Sequence, residues 1–259
     1  MSEERKPVPT LEEKKVKKLD LREVTSCQAT LQMLKKLEED GHDSVFHRAA
    51  DMKPCPIGSE GACCKHCFMG PCRLNIKDPY AKTGICGATI DTISARNFAR
   101  AVAAGGAAHT DHGMVMLDVF REVVNGKISH FKIQDEAKLR NVAESIGIRT
   151  DKRSVKEIAT DLYKELERTY TQVEGEIPFA KRVPPKTLEQ WRKAGVVPRG
   201  AMREIMELMH RTHMGVDQDY NNIVKQCSRT ALADGWGGSM VATEISDILF
   251  GTPEPRVAG

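Results

Sequence analysis

Aromatic residues fill only 5% of the 259 positions. That scarcity, beside 11 methionines, fits helical packing better than a β-sandwich, whose strands draw on aromatic and β-branched side chains. No apolar run approaches the ~18 residues of a membrane-spanning helix, so no membrane span is expected. The opening stretch, MSEERKPVPTLEEKKVKKLD, offers no apolar segment for a signal peptide. The expected location is therefore cytoplasmic, where thiols stay reduced and clustered cysteines read as metal or redox ligands before they read as disulfides. Charge of one sign is not in excess either. With 39 Lys+Arg against 36 Asp+Glu the formal net charge is +3, which gives no reason to expect a nucleic-acid partner. Internal repeats and convincing alternating strands are also missing.

Helical periodicity is what the chain has instead. Residues 1–22, with Lys14, Lys15, Lys17 and Lys18, read as a charged, solvated arm. A helical domain is expected over 23–250, and 251–259 as the start of a linker to further domains. Within the domain a first helix spans Ser26 to Asp40. Ile90, Ile93, Phe98 and Val102 recur at helical spacing up to a break at Gly105–Gly106. Val115, Leu117, Val119, Phe120 and Val123 follow, closed by Asn125–Gly126. Ser154 and Glu157 form a capping box, leading the stripe Ile158, Ala159, Leu162, Leu166 and Tyr170. Pro184–Pro185 marks a loop. Met202, Ile205, Met206 and Met209 read as another core stripe, with His210 and His213 at its edge. Ala231 to Leu249 reads as one or two helices around a break at Gly235–Gly238. The fold class is thus all-α, or nearly so, with one irregular segment, residues 54–87, rich in Gly, Pro and Cys.

Six of the eight cysteines lie in that segment, spaced C-x7-C-C-x2-C-x4-C-x13-C over Cys55, Cys63, Cys64, Cys67, Cys72 and Cys86. Soft iron prefers thiolate, and a [4Fe–4S] cube normally takes four cysteines. Cys64, Cys67, Cys72 and Cys86 make a natural set. Cys55 and Cys63 remain as a pair, half a ligand set that a second chain on a two-fold axis would complete. The arithmetic suggests a homodimer stapled by a shared cluster. Structural zinc would also accept four thiolates, but it leaves the pair unexplained. Cys27 and Cys227 fall in helical patterns and read as structural. Lys65, His66 and Arg73 are candidates for tuning a cluster by charge and hydrogen bonds.

CPIGSEGACCKHCFMGPCRLN followed by GICGAT resembles the double-cluster segment of anaerobic nickel-containing carbon monoxide dehydrogenases. The likeness continues through ISARNFARAVAAGGAAHTDHG, MELMHRTHMGVDQDYNN and ALADGWGGSMVATEISDILFGTPEP. It implies that Cys64, Cys67, Cys72 and Cys86 bind an intramolecular [4Fe–4S] cluster that relays electrons, and that Cys55 and Cys63 bind one shared between two subunits. It further implies a helical domain continuing into Rossmann-like α/β domains that carry most ligands of a nickel–iron–sulfur cluster. There CO and water become CO2, two protons and two electrons. By that resemblance this chain lacks the active-cluster ligands and supplies the electron-relay and dimerisation part of the enzyme. The partners implied are a ferredoxin-like electron acceptor and, in some members, an acetyl-CoA synthase subunit. The family's histidine series, a suggested proton path, is represented here by His109 and His112, with Val115 and Asp118 at the next two positions. Two alternatives stay open. One is a free-standing iron–sulfur electron-transfer protein; the other is a relative of the hybrid-cluster proteins, which the Cys55–Cys63 pair disfavours.

Overall fold

The computed structural model describes residues 18–254. Most of the expected arm (1–17) and the end of the expected linker (255–259) lie outside the described residues. The chain divides into two compact units at Ser59/Glu60.

The first unit carries four short helices: α1 (Leu21–Val24), α2 (Gln28–Glu39), α3 (Val45–Asp51) and α4 (Pro56–Ser59). Leu21, Leu31 and Leu34 form its small apolar cluster. A capping box starts α3, with Ser44 capping and His47 reaching back to the Ser44 backbone. The far nitrogen of the buried His47 ring lies 2.9 Å from a Glu38 carboxylate oxygen, so α2 and α3 are tied by one imidazole.

The second unit begins with a minimal ribbon, β1 (Cys63–Cys64) against β2 (Cys72–Arg73). Its spine is α5 (Ile90–Val124), which at 1.5 Å per residue is about 50 Å long. Against it pack α7 (Val155–Thr171), α9 (Ala201–Arg211), α10 (Tyr220–Ala233) and α11 (Met240–Phe250); α6 (Glu136–Ser145) packs on α7 and α11, and α8 (Pro185–Ala194) belongs to the same unit. The fold class is the expected one, mostly helical with a cysteine-rich irregular segment.

Local signals explain several boundaries. Thr89 caps α5, and Asn125 with Gly126 ends it. Ser154 and Glu157 form both halves of the capping box of α7. Pro185 opens α8, where its missing N–H costs nothing, and Gly195 closes it in a left-handed conformation. The stripe Ile158, Ala159, Leu162, Leu166 and Tyr170 is buried against Leu117 and Phe120 of α5, with α6 and α11 completing the cluster. Each large aliphatic there contributes roughly 1.5–3 kcal/mol on full burial.

Three expectations are corrected. Gly105–Gly106 does not break the helix, since α5 runs unbroken through both. A Cβ at Gly106 would sit 3.4 Å from Thr230 and 3.6 Å from Ile205, so this glycine lets α9 and α10 approach the spine. Gly235–Gly238 is not a break either. A π-helical stretch, Asp234–Ser239, carries α10 directly into α11, and a Cβ at Gly238 would meet the His109 backbone at 2.8 Å.

The methionine stripe of α9 is the third. Ala201, Glu204 and Leu208 face inward, while Met202, Met206 and Met209 are exposed. The inward face includes Glu204, whose carboxylate is satisfied there: Arg199 donates to it once from its backbone and twice from its guanidinium, and Gln226 adds a fourth contact at 2.7 Å. A buried carboxylate is tolerated when paired and hydrogen-bonded in this way.

Candidate metal centre

The two-residue strands set the geometry of the cysteine segment. Cys63 stands opposite Arg73 and Cys64 opposite Cys72. Successive strand residues point to opposite faces, so the neighbours Cys63 and Cys64 part company. Cys64 is buried and Cys63 only half-buried. A hydrogen bond from the Leu74 amide to the Ala62 carbonyl, 2.8 Å, closes the ribbon. Gly70 permits the connecting turn, because a Cβ there would lie 2.8 Å from the Cys72 nitrogen and 3.2 Å from the Cys64 carbonyl. Gly87, directly after Cys86, has φ +85°, which favours glycine.

Cys64, Cys67, Cys72 and Cys86 line one cavity, with His66 and Arg96 also in its wall. None of these four thiols is in a disulfide. The Ile85 amide donates to the Cys72 sulfur at 3.4 Å. The first turns of α5 hold the segment in place. Asn97 donates to the carbonyls of Gly61 and Cys63 at 3.1 and 3.3 Å and lies 2.9 Å from the His66 ring nitrogen. Gln218 donates to the Cys86 carbonyl at 2.8 Å, while the Thr92 hydroxyl donates to the Gln218 carbonyl at 2.7 Å.

Arg96 is the charged group of this wall. It is 1% exposed. One guanidinium nitrogen donates to the Cys86 sulfur at 3.5 Å and another to the Asp217 carbonyl at 2.6 Å. Its Nε is buried without a hydrogen-bond partner. The Asp217 carboxylate is engaged by Arg211 and by the Asp219 amide, and among the described residues no carboxylate pairs with Arg96. A buried cation without a counter-charge is costly, several kcal/mol even after relaxation.

The thiols respond to these surroundings in opposite ways. Burial pushes Cys64 up, and neighbouring Cys72 and Cys67 add to it. Burial also acts to raise Cys86, but hydrogen bonds from Arg96, the Ala88 backbone and Gln218 outweigh it and hold this thiol below its ordinary value. Burial drives His66 down, with Arg100 and Arg96 adding to the effect.

This donor set fits an iron–sulfur cube. Four soft sulfur ligands line one cavity, the donor set that a cube takes. The orphaned Arg96 Nε and the unpaired guanidinium charge also suit an anionic group with inorganic sulfide acceptors.

The remaining candidates fall elsewhere. Cys55 belongs to the first unit and Cys63 to the second; Cys63 is not in the cavity wall. Lys65 and Arg73 are exposed and outside the cavity wall, whereas Arg96, which the sequence reading missed, is part of it. Its only sequence signal was its place in the ISARNFAR stretch. His109 and His112 are exposed on α5, and the His109 Nδ1 lies 2.8 Å from Asp234 at the start of the π-helical stretch. Cys227 is buried with Ala95, Ala99, Ala103, Leu208 and Ile223, and burial raises its thiol to about 11. Cys27 is exposed at the N-cap of α2.

Residues 62–259 match the Prismane/CO dehydrogenase family. The chain is 46% identical over 225 residues to carbon monoxide dehydrogenase 1 of Methanosarcina acetivorans, covering 86% of this chain and 36% of that one. It superposes with a TM-score of 0.85 on the nickel-free carbon monoxide dehydrogenase of Thermococcus sp. AM4, at 40% identity over 93% of this chain and 39% of that one. A second structure is an acetyl-CoA synthase/carbon monoxide dehydrogenase described with NiZn[Fe4S4] and NiNi[Fe4S4] clusters in its alpha subunits. It gives a TM-score of 0.81 at 38% identity, covering 90% of this chain and 35% of that one. The chain thus spans little more than a third of the proteins it matches, and by the family match over most of its length it belongs to the Prismane/CO dehydrogenase family.

Proposed function

We propose that this chain is the iron–sulfur electron-relay and dimerisation part of a carbon monoxide dehydrogenase. The observation that carries the reading is the convergence of Cys64, Cys67, Cys72 and Cys86 on one cavity. These four thiolates would hold a [4Fe–4S] cube, which supplies one-electron transfer when bound. The ribbon fixes Cys64 and Cys72, Asn97 ties the loop to α5, and Arg96 and the Ile85 amide donate to sulfur. Cys55 and Cys63 would supply half the ligands of a second cube shared with another copy of the chain. The half-buried Cys63, on the face of the ribbon opposite its buried neighbour Cys64, supports two separate clusters.

In the intact enzyme the relay would pass electrons from CO oxidation to a ferredoxin-like acceptor, and an acetyl-CoA synthase subunit is a candidate partner. On this reading residues 23–250 are the cluster-bearing helical part. His109, held by Asp234, and His112 on the next turn would be the proton-carrying positions of this chain. Replacing His109 or His112 with Asn in the intact enzyme tests that role: a role in proton transfer requires slower turnover with unchanged cluster content. The test of the main reading is metal content. Protein reconstituted anaerobically should hold about three cubes per dimer, roughly 12 iron and 12 sulfide at four thiolates per cube. Stoichiometric zinc with negligible sulfide would overturn it.

A further inference from the structure

We infer that Arg96 is a positioning residue that sets the reduction potential of the four-thiolate cube, holding it higher than the thiolates alone would. The inference rests on the reading that Cys64, Cys67, Cys72 and Cys86 hold such a cube, and it goes beyond it by naming the group that tunes the electron carrier.

The argument starts from an unbalanced charge. Arg96 is all but inaccessible to solvent, yet none of the described carboxylates answers it. Asp217, which offers it a carbonyl oxygen at 2.6 Å, has turned its own carboxylate to Arg211 at 2.6 Å. The guanidinium keeps its proton in any protein environment. Its counter-charge has to come from the other side, where the four thiols line the same cavity and the Cys86 sulfur accepts from it at 3.5 Å. Nε, buried and unpartnered, leaves one more N–H without an acceptor. A thiolate-ligated cube is anionic, so the two charges complete each other.

The consequence for redox chemistry follows from the change on reduction. One electron enters the cube from an external one-electron reductant, no bond forms or breaks, and Arg96 neither gains nor loses a proton. The cube then carries one more negative charge at the same distance from the guanidinium. Attraction grows on reduction, which favours the reduced state and raises the potential. Net charge and hydrogen bonds to the sulfurs are the levers that set cluster potentials, and Arg96 supplies both. Lys65 and Arg73, nearer in sequence to the ligands, are exposed and screened by water.

The test is a redox titration of the full chain, reconstituted anaerobically and followed by EPR of the reduced cube, for the wild type, Arg96→Gln and Arg96→Lys. Arg96→Gln should retain its iron and sulfide but shift one cube per chain to lower potential. The expected fall is at least tenfold in the reduced-to-oxidised ratio at fixed potential, about 59 mV for a one-electron couple. Arg96→Lys keeps the charge and should recover most of that shift, which a merely structural role would not produce. An Arg96→Gln protein with a full cube and an unchanged midpoint overturns the inference. If Arg96→Gln does not hold a cube, the decision passes to wild-type protein grown with 15N-arginine. Pulsed EPR of the reduced cube should then show a coupled 15N nucleus, and its absence overturns the inference. Iron and sulfide analysis of the wild type reports separately on the underlying reading: a wild type without a cube removes both.

Discussion

Cys64 and Cys72 face each other across a ribbon only two residues long on each side. The pairing brings together thiols eight positions apart, and the turn between them, which carries Cys67, depends on Gly70. Replacing Cys64 or Cys72 with Ser should therefore cost the whole intramolecular cube, since three thiolates leave one iron without its sulfur ligand. The expected loss is about four iron and four sulfide per chain, read by iron and acid-labile sulfide analysis. Full retention in both variants would mean that the cavity holds something else.

The second pair should behave differently. Replacing both Cys55 and Cys63 with Ala is expected to remove one cube per dimer and to weaken association, with the intramolecular cubes spectroscopically unchanged. Sedimentation at several concentrations, beside iron analysis, checks both halves. A double variant that stays dimeric with its full iron content would end the shared-cluster model.

Packing around the spine gives a prediction independent of metal. A Cβ at Gly113 would collide with the Tyr170 hydroxyl and come within 2.9 Å of the Gly238 carbonyl. The Tyr170 hydroxyl is buried with no partner. Gly113→Ala should destabilise the second unit by about 1–3 kcal/mol, the usual range for overpacking. Tyr170→Phe removes an unsatisfied polar group and should be close to neutral. In the double variant part of the Gly113→Ala loss should return, a coupling that anaerobic denaturant titrations can read. Strict additivity would place the clash elsewhere.

Glu207 of α9 pairs with three arginines, 2.6 Å from Arg199, 2.8 Å from Arg211 and 3.2 Å from Arg203. Burial acts to raise its carboxyl, but the Arg199 and Arg211 guanidinium groups outweigh burial and hold it at about 2. A depressed carboxyl contributes stability that is present above its unfolded value, roughly 4.3, and is lost as pH falls through the folded value. The stability gap between wild type and Glu207→Gln should therefore be full at pH 7 and shrink as pH falls from about 4.5 to about 2. Its size should be on the order of 1–2 kcal/mol after allowance for solvent screening. A gap that stays constant over that range would show that Glu207 acts through shape and not charge.

What could be read from the sequence was whatever has a local cause. The Ser154–Glu157 box, the Asn125–Gly126 stop and the stripe from Ile158 to Tyr170 each depend on neighbours within a few positions. The six-cysteine spacing likewise grouped Cys64, Cys67, Cys72 and Cys86, which line one cavity. Long-range partners hid the rest. Gly106 and Gly238 look like breaks until α9, α10 and α5 are seen to need the room. The α9 methionines look like core until Arg199 and Gln226 are seen to satisfy Glu204. Arg96 passes for an ordinary helical arginine, because its two partners, Cys86 and Asp217, lie 10 and 121 positions away.

The last prediction separates electron transfer from CO chemistry. Beyond the six cysteines of the loop, the polypeptide has only Cys27 and Cys227. The first is exposed at the start of α2. The second is enclosed by alanines and aliphatics, its thiol raised to about 11, in the range of an inert structural cysteine. His109 is engaged by Asp234, and two exposed imidazoles without thiolates make a poor home for a nickel–iron–sulfur centre. A cube held by four thiolates has no open position on iron, so it can carry an electron but offers no site for CO and water. Prepared under strict anaerobiosis, the 259-residue chain should take electrons from a strong reductant and show reduced-cube EPR signals. It should fail to reduce a viologen dye with CO, with or without added nickel, and activity should appear only when the regions its longer relatives possess are joined to it. Nickel-dependent CO oxidation by this polypeptide alone would place an active site among residues assigned here only to relay and assembly.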